Sequence, residues 1–439
     1  MAKSCFRLCC LGALLFCLSA TSAAYSVLTH EEVIDLLWNQ QIRPLLLERF
    51  PGASEQQLQQ AHAYAYGGAV IQDLGYYPFG NDFFSDLLHY VRTGALVENL
   101  VAESSNLNEF AFALGALAHY ASDITGHWAV NRAVPIEYPK LRKKYGPVVT
   151  YAEGKTEHLK TEFGFDVLQV ARHRYAPQSY HDFIGFQVAR PVLERAFFDT
   201  YRIRIDSVLE HENLSISTYR HSVSKIIPAM TRVALIIRKR QIMAEYHDFS
   251  RRKFLYNLSR ADYRKEWGTE YQSDKPGLGA RVVAFLVRFI PKVGPLRGLA
   301  YKDPTPGTED MYFKSVNATV DYYRKLLGEL RSRNLALPDM DLDTGNPTAA
   351  GEYSLADASY ARLLGRLSRQ NYASVDRPLR NALLAFFDQQ WAKRKTGETL
   401  AIQEQLIPLR LGQPAPSSIF DEKGAGQAGN AAAPPAPHN

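Results

Sequence analysis

The stretch HYASDITGHWAVN, residues 119–131, sets His119, Asp123 and His127 at successive four-residue steps. At about 100° per residue, positions i, i+4 and i+8 drift only about 80° around a helix, so both imidazoles and the carboxylate would share one stripe. Such a stripe is either a row of metal ligands or the wet face of an ordinary helix. The flanking sequence argues for the helix itself. LNEFAFALGALAHYASDI, residues 107–124, repeats apolar residues at three- and four-residue steps, as do HEEVIDLLWNQQIRPLLLERF, from residue 30, and TRVALIIRKRQIMAEYHDF, from residue 231. Alternating strand-like runs are scarce, no internal repeat is present, and GGAVIQDLGYYPFG lacks the Lys and Ser/Thr of a phosphate-binding loop. The fold class expected is all-α.

Working outward, the 439 residues with 46% apolar and 12% aromatic content are ample for a globular core. Residues 1–24 read as a cleaved signal peptide. Lys3 and Arg7 precede the apolar run LCCLGALLFCLSA, and small residues lead to Tyr25. The protein is therefore expected to be secreted or periplasmic. All four cysteines, Cys5, Cys9, Cys10 and Cys17, fall in that leader, so no disulfide is available to the mature chain. Of the formal +6 charge, the two leader cations Lys3 and Arg7 account for part, leaving +4, a mild balance compatible with an anionic surface or substrate. Residues 25–250 carry the helical patterns and form the expected catalytic domain. Residues 251–307 mix Gly and Pro with apolar and basic residues and read as a linker or interfacial flap, with Phe285, Phe289 and Ile290 as wedges and Arg281, Arg288 and Lys292 facing headgroups. Residues 308–412 form a helical C-terminal region, and 413–439 is a disordered tail by composition.

A second pair strengthens the metal reading of the stripe. EHLKTEF, residues 157–163, places His158 and Glu162 at i and i+4, the spacing that lets two side chains of one helix grip a single ion. Upstream, Asp73 lies in a Gly- and Pro-punctuated loop, and His89 sits among Leu87, Leu88 and Tyr90, where an imidazole must be buried or partnered. His30 follows the new amino terminus at Tyr25, whose free amine and carbonyl could chelate a metal; in the competing reading His30 only opens a helix capped by Thr29. His62 reads as a plain helix histidine, and His173, His181, His211, His221 and His247 as surface or packing residues.

The ordered series Tyr25, His30, Asp73, His89, His119, Asp123, His127, His158 and Glu162 resembles the ligand set of the zinc-dependent phospholipase C and S1/P1 nuclease superfamily, and Glu162 as last ligand is similar to the bacterial phospholipase C branch. The resemblance covers roughly residues 25–250. It implies an all-α domain with three zinc ions: one on Asp73, His89, His119 and Asp123; one on Asp123, His30 and the terminal amine and carbonyl of Tyr25; one on His127, His158 and Glu162 with water. Two departures stand out. Tyr25 replaces the usual Trp, and the gap from Asp123 to His127 is two residues shorter than in the best-known bacterial enzymes, which expects one helix unbroken through all three ligands.

Imidazole and carboxylate without thiolate suit zinc, and sites with three protein ligands leave room for water, the mark of catalysis. Three divalent ions against the charges of Asp73, Asp123 and Glu162 leave a positive pocket suited to a phosphate ester attacked by metal-activated water, with Asp73 orienting that water or taking its proton. The expected function is a zinc-dependent phosphodiester hydrolase, a phospholipase C that acts at a phospholipid membrane surface and yields diacylglycerol and a phosphorylated headgroup. No protein partner is implied. The alternatives are a nuclease or 3′-nucleotidase on the same metals, for which nucleic acid would be the partner, and a non-enzymatic helical metal-binding protein.

Overall fold

A computed structural model describes residues 26–172, 174–245, 300–389 and 397–412. The leader, Tyr25, His173, His247, the flap residues 281–292 and the tail lie outside the described residues.

The architecture is all-α. In chain order the longer helices are α1 Val27–Leu37, α2 Glu55–Gly68, α3 Asp82–Tyr90, α4 Thr93–Glu103, α5 Leu107–Glu137, α6 Tyr151–Ala171, α7 Arg190–Tyr201, α8 Glu212–His221, α9 Ile227–Glu245, α10 Pro306–Arg331, α11 Ser354–Arg369, α12 Arg377–Gln389 and α13 Gly397–Leu411, with the short helices Arg43–Arg49, Pro139–Tyr145 and Gln178–Ile184 and several 3-10 and π turns between them. The described strands are a two-residue antiparallel pair, β1 Met340–Asp341 and β2 Asn346–Pro347. Residues up to Tyr360 form one compact unit and those from Ala361 a second.

The first unit is built around α5. Its 31 residues run unbroken through His119, Asp123 and His127. Asn106 caps it by accepting the Glu109 N–H at 3.0 Å, a contact worth about 1 kcal/mol. Its central stretch is buried almost all round, as a helix threading the core must be. Helix α2 lies so close to α5 that a Cβ on Gly115 would sit 2.1 Å from the Ala65 carbonyl, and one on Gly68 2.0 Å from the Phe112 carbonyl. Only glycine permits that backbone approach. On another side α10 is tied to α5 by the Tyr323 hydroxyl donating to the Leu114 carbonyl at 2.8 Å and by the Thr125 and Thr319 hydroxyls at 2.5 Å.

Two local features fix the elements that carry the remaining polar residues. Pro135, within α5, has no N–H for the Asn131 carbonyl four residues back, and the Val149 N–H takes that acceptor at 2.9 Å. The link delivers the chain to Thr150, which opens α6 with a capping box to Glu153. Helix α1 begins at Val27 behind Ser26, so Thr29 is not its cap. Asp166 of α6 accepts the Leu28 N–H at 3.0 Å and the Thr29 hydroxyl at 2.7 Å, and this tertiary acceptor satisfies the first turn in place of a local one.

In the second unit, Leu379, Leu383 and Phe387 of α12 and Leu406 of α13 are buried, and the Arg380 guanidinium donates to the Leu409 carbonyl at 2.6 Å.

Candidate metal centre

The stripe on α5 is no wet face: His119, Asp123 and His127 are each fully buried. Around it converge His30 from α1, Asp73 from the short 3-10 turn Ile71–Tyr76, His89 from the end of α3, and His158 and Glu162 from α6. None of these is more than 3% exposed, so eight of the nine residues singled out by sequence are brought together in the interior. The ninth, Tyr25, lies outside the described residues.

Their ligand atoms fall into three groups, each lying mutually within 4.8 Å: His30, His119 and Asp123; Asp73, His89 and His119; and His127, His158 and Glu162. The first two groups share His119, and Asp123 of the first also reaches His89 of the second. Asp123 Oδ2 stands 3.0 Å from His119 Nε2 and 3.4 Å from His89 Nε2, while Oδ1 faces His30 Nε2 at 3.6 Å. Asp73 Oδ1 is 3.4 Å from His89 Nε2, and the His89 and His119 Nε2 atoms are 3.5 Å apart. Two ligands bonded tetrahedrally at about 2.0–2.1 Å to one ion are separated by about 3.3–3.4 Å. The observed spacings cluster around that edge length.

Proton placement on the imidazoles supports the same reading. His89 Nδ1 lies 2.8 Å from the Ser85 carbonyl and His119 Nδ1 2.9 Å from the Ala69 carbonyl. A carbonyl only accepts, so each Nδ1 carries the donated proton and Nε2 is the atom turned towards the carboxylates. Nε2 and an anionic oxygen repel at this range unless a cation, whether a proton or a metal ion, lies between them. Backbone-anchored imidazoles of fixed tautomer are the usual support of a metal ligand. Both oxygens of Asp73 and of Asp123 are buried without a satisfying hydrogen bond, an expensive state that ion binding relieves.

With protons as the only cations, the same competition appears as displaced ionisation. Burial, then the neighbouring His119, lowers His30 to about 3, so its ring is neutral. Burial alone would lower His89 and His119, but the carboxylates of Asp123 and Asp73 outweigh it and raise both. Burial would raise Asp123, yet His119 and His89 hold it well below the usual carboxylate range, while burial wins at Asp73 and raises it. In the third group burial lowers His158 and raises Glu162, the latter helped by repulsion from Asp73, Asp123 and Asp343.

The third group is oriented differently. His158 Nε2 lies 2.7 Å from Asn131 Oδ1, which leaves Nδ1 turned to Glu162 Oε1 at 2.9 Å. His127 Nδ1 lies 2.7 Å from the Leu342 carbonyl, so its Nε2 points inward. Sequence reading missed two polar neighbours here. Asn131 stands one further four-residue step along the α5 stripe and was legible as such. Asp343 comes from the β1–β2 turn and gave no local signal.

The other histidines take packing and ion-pair roles. His62 is buried under Trp38, their rings stacked at 3.8 Å, with Nε2 2.9 Å from Asp35 Oδ1. His181 is buried against Glu31, and His211 and His221 are exposed.

An all-α unit with a buried imidazole–carboxylate centre and no thiolate is a metalloprotein built for a borderline divalent ion such as zinc. Comparison with known families makes this specific. Residues 29–210 match the family model described as zinc dependent phospholipase C, a match that indicates a zinc-dependent phosphodiester hydrolase. No curated protein and no solved structure gives a match.

Proposed function

We propose that the protein is a secreted or periplasmic phospholipase C that works at a phospholipid surface, cleaving the glycerol-side phosphodiester to give diacylglycerol and a phosphorylated headgroup. Three zinc ions are held, one by Asp73, His89, His119 and Asp123, one by Asp123, His30 and the amine and carbonyl of Tyr25, and one around His127, His158 and Glu162. The observation that carries this reading is the convergence of backbone-anchored Nε2 atoms on unsatisfied carboxylate oxygens at the spacing of shared ligands.

When bound, zinc supplies Lewis-acid stabilisation of the phosphoryl oxygens and a water acidic enough to ionise near neutral pH. The chain's own residues do the rest. Asp73 uses Oδ1 towards His89 and keeps Oδ2 free of hydrogen bonds, so it can orient the attacking water and accept its proton. Asp123 places one oxygen in each of two sites and holds them at a fixed separation. The Ser85 and Ala69 carbonyls keep the His89 and His119 tautomers fixed through the reaction. Two exposed aromatics support action at a lipid surface: Phe79 on the loop after the Asp73 turn, 55% exposed, and Trp128 beside His127, 44% exposed. No described helix is long and apolar enough to cross a membrane.

The test is phosphorus NMR of zinc-loaded protein starting at Tyr25, incubated with mixed phospholipid vesicles and single-stranded nucleic acid together. Chelator-sensitive phosphorylated headgroups with intact nucleic acid are expected. Nucleotide products with untouched lipid would move the activity to nucleic acid, and no product at all from a zinc-loaded sample would sink the enzymatic reading.

A further inference from the structure

The site at His127, His158 and Glu162 has a further neighbour, a second carboxylate, that lies outside the family-matched residues. Asp343 is fully buried. Its Oδ2 accepts hydrogen bonds from the Tyr90 hydroxyl at 2.7 Å and the Tyr353 hydroxyl at 2.6 Å, which fixes the carboxylate plane. Its Oδ1 has no hydrogen bond and stands 3.5 Å from His127 Nε2, which has none either. Because His127 Nδ1 donates to the Leu342 carbonyl, Nε2 is the ring atom turned to that oxygen, the same opposed arrangement found at His89 and Asp73. The separation again matches two ligands on one tetrahedral ion.

The turn that carries Asp343 is built into the centre by backbone as well as side chain. The Leu342 N–H donates to the His89 carbonyl at 3.0 Å. The Asp343 carbonyl accepts from Asn131 Nδ2 at 2.9 Å, while Asn131 Oδ1 receives His158 Nε2, so one amide positions both His158 and Asp343. Asp341 Oδ1 accepts the N–H groups of Asp343 at 3.0 Å and Thr344 at 3.2 Å. Gly345 closes the turn at φ +70°, where a Cβ would stand 2.6 Å from the Ile124 carbonyl of α5.

We propose that Asp343 is a protein ligand of the third metal ion, joining His127, His158 and Glu162 to make a closed, charge-neutral site that fastens residues 339–353 onto the catalytic helices. The proposal rests on the reading of that group as a zinc site. Four protein ligands and no open position are the pattern of a structural zinc, which leaves water activation to the two sites that share Asp123.

The test counts zinc per chain by elemental analysis, after dialysis of zinc-loaded protein starting at Tyr25 against a graded competing chelator. Wild type is expected to hold three ions. Asp343→Asn should hold two under the same conditions, with affinity for the third lowered at least about 100-fold, beyond the loss expected from a merely supporting residue. Tyr353→Phe, which removes a hydrogen bond to Asp343 but keeps the carboxylate, should still hold three. Retention of the third ion with unchanged affinity in Asp343→Asn, or equal loss in both variants, would overturn the proposal. A wild type with only two ions would instead refute the third metal site itself. Should Asp343→Asn fail to fold, a crystal of zinc-loaded wild type decides: Asp343 Oδ1 about 2.0–2.2 Å from the third ion is expected, and any separation beyond about 3 Å overturns the assignment.

Discussion

Stripping the metal should remove a large part of the stability of the helical unit. Asp73, Asp123, Glu162 and Asp343 are all buried within one region, and the cysteines are confined to residues 5–17, so no disulfide joins the described residues to offset their repulsion. An ion that binds only the native state contributes RT ln(1 + [L]/Kd), about 2.7 kcal/mol at a hundredfold excess over Kd. Three such sites contribute about 8 kcal/mol, comparable with the roughly 5–15 kcal/mol by which a folded domain is stable at all. At about 2 °C per kcal/mol for a large domain, Tm should fall by about 15 °C. The assay is calorimetric or far-UV circular dichroism melting of protein starting at Tyr25, before chelator dialysis, after it with metal loss verified by elemental analysis, and after adding zinc back. An ion-free Tm within about 3 °C of the loaded value would refute the idea that these residues are arranged around ions.

Three further outcomes are expected. Asp73→Asn should lower lipid hydrolysis by about 100-fold or more, with helix content kept, as measured by phosphorus NMR beside circular dichroism; activity within a few-fold of wild type would remove Asp73 from the chemistry. Burial raises Glu137 from 4.5 to about 7, so the fold favours its protonated form: its contribution is full below pH 4.5 and is lost as pH rises to about 7, on the order of 3 kcal/mol in all. Glu137→Gln should therefore gain stability over wild type between those limits and no more above them, read from urea midpoints at several pH values; a constant difference would contradict the shift. Gly115→Val would drive a side chain into the Ala65 carbonyl and should cost about 3 kcal/mol or more in the same unfolding assay, whereas Gly52→Ala, with open space around it, should be nearly neutral.

How much of this was readable in advance follows from the range of each interaction. The stripe 119–123–127 and the pair His158 and Glu162 are local, so helical periodicity alone put their side chains on shared faces. Their assembly with Asp73 and His89 required the ordered series as a whole, since no local rule brings a 3-10 turn against the end of another helix. Where sequence reading placed Thr29 at a cap, the chain starts the helix earlier because Asp166, from α6, supplies the acceptor. Asp343 was illegible for the same reason. In DMDLDTGNP, residues 339–347, no local pattern singles out Asp343 from the acids beside it, and only the fold reveals that Tyr90, Tyr353 and Asn131 hold that turn inside the protein.

The most direct measurement is diffraction from crystals of zinc-loaded protein starting at Tyr25, with data collected on both sides of the zinc absorption edge. Anomalous peaks are expected between Asp73, His89, His119 and Asp123 Oδ2, between His30, Asp123 Oδ1 and the Tyr25 amino terminus, and among His127, His158 and Glu162. Absence of any peak among these residues in a zinc-loaded crystal would contradict that arrangement.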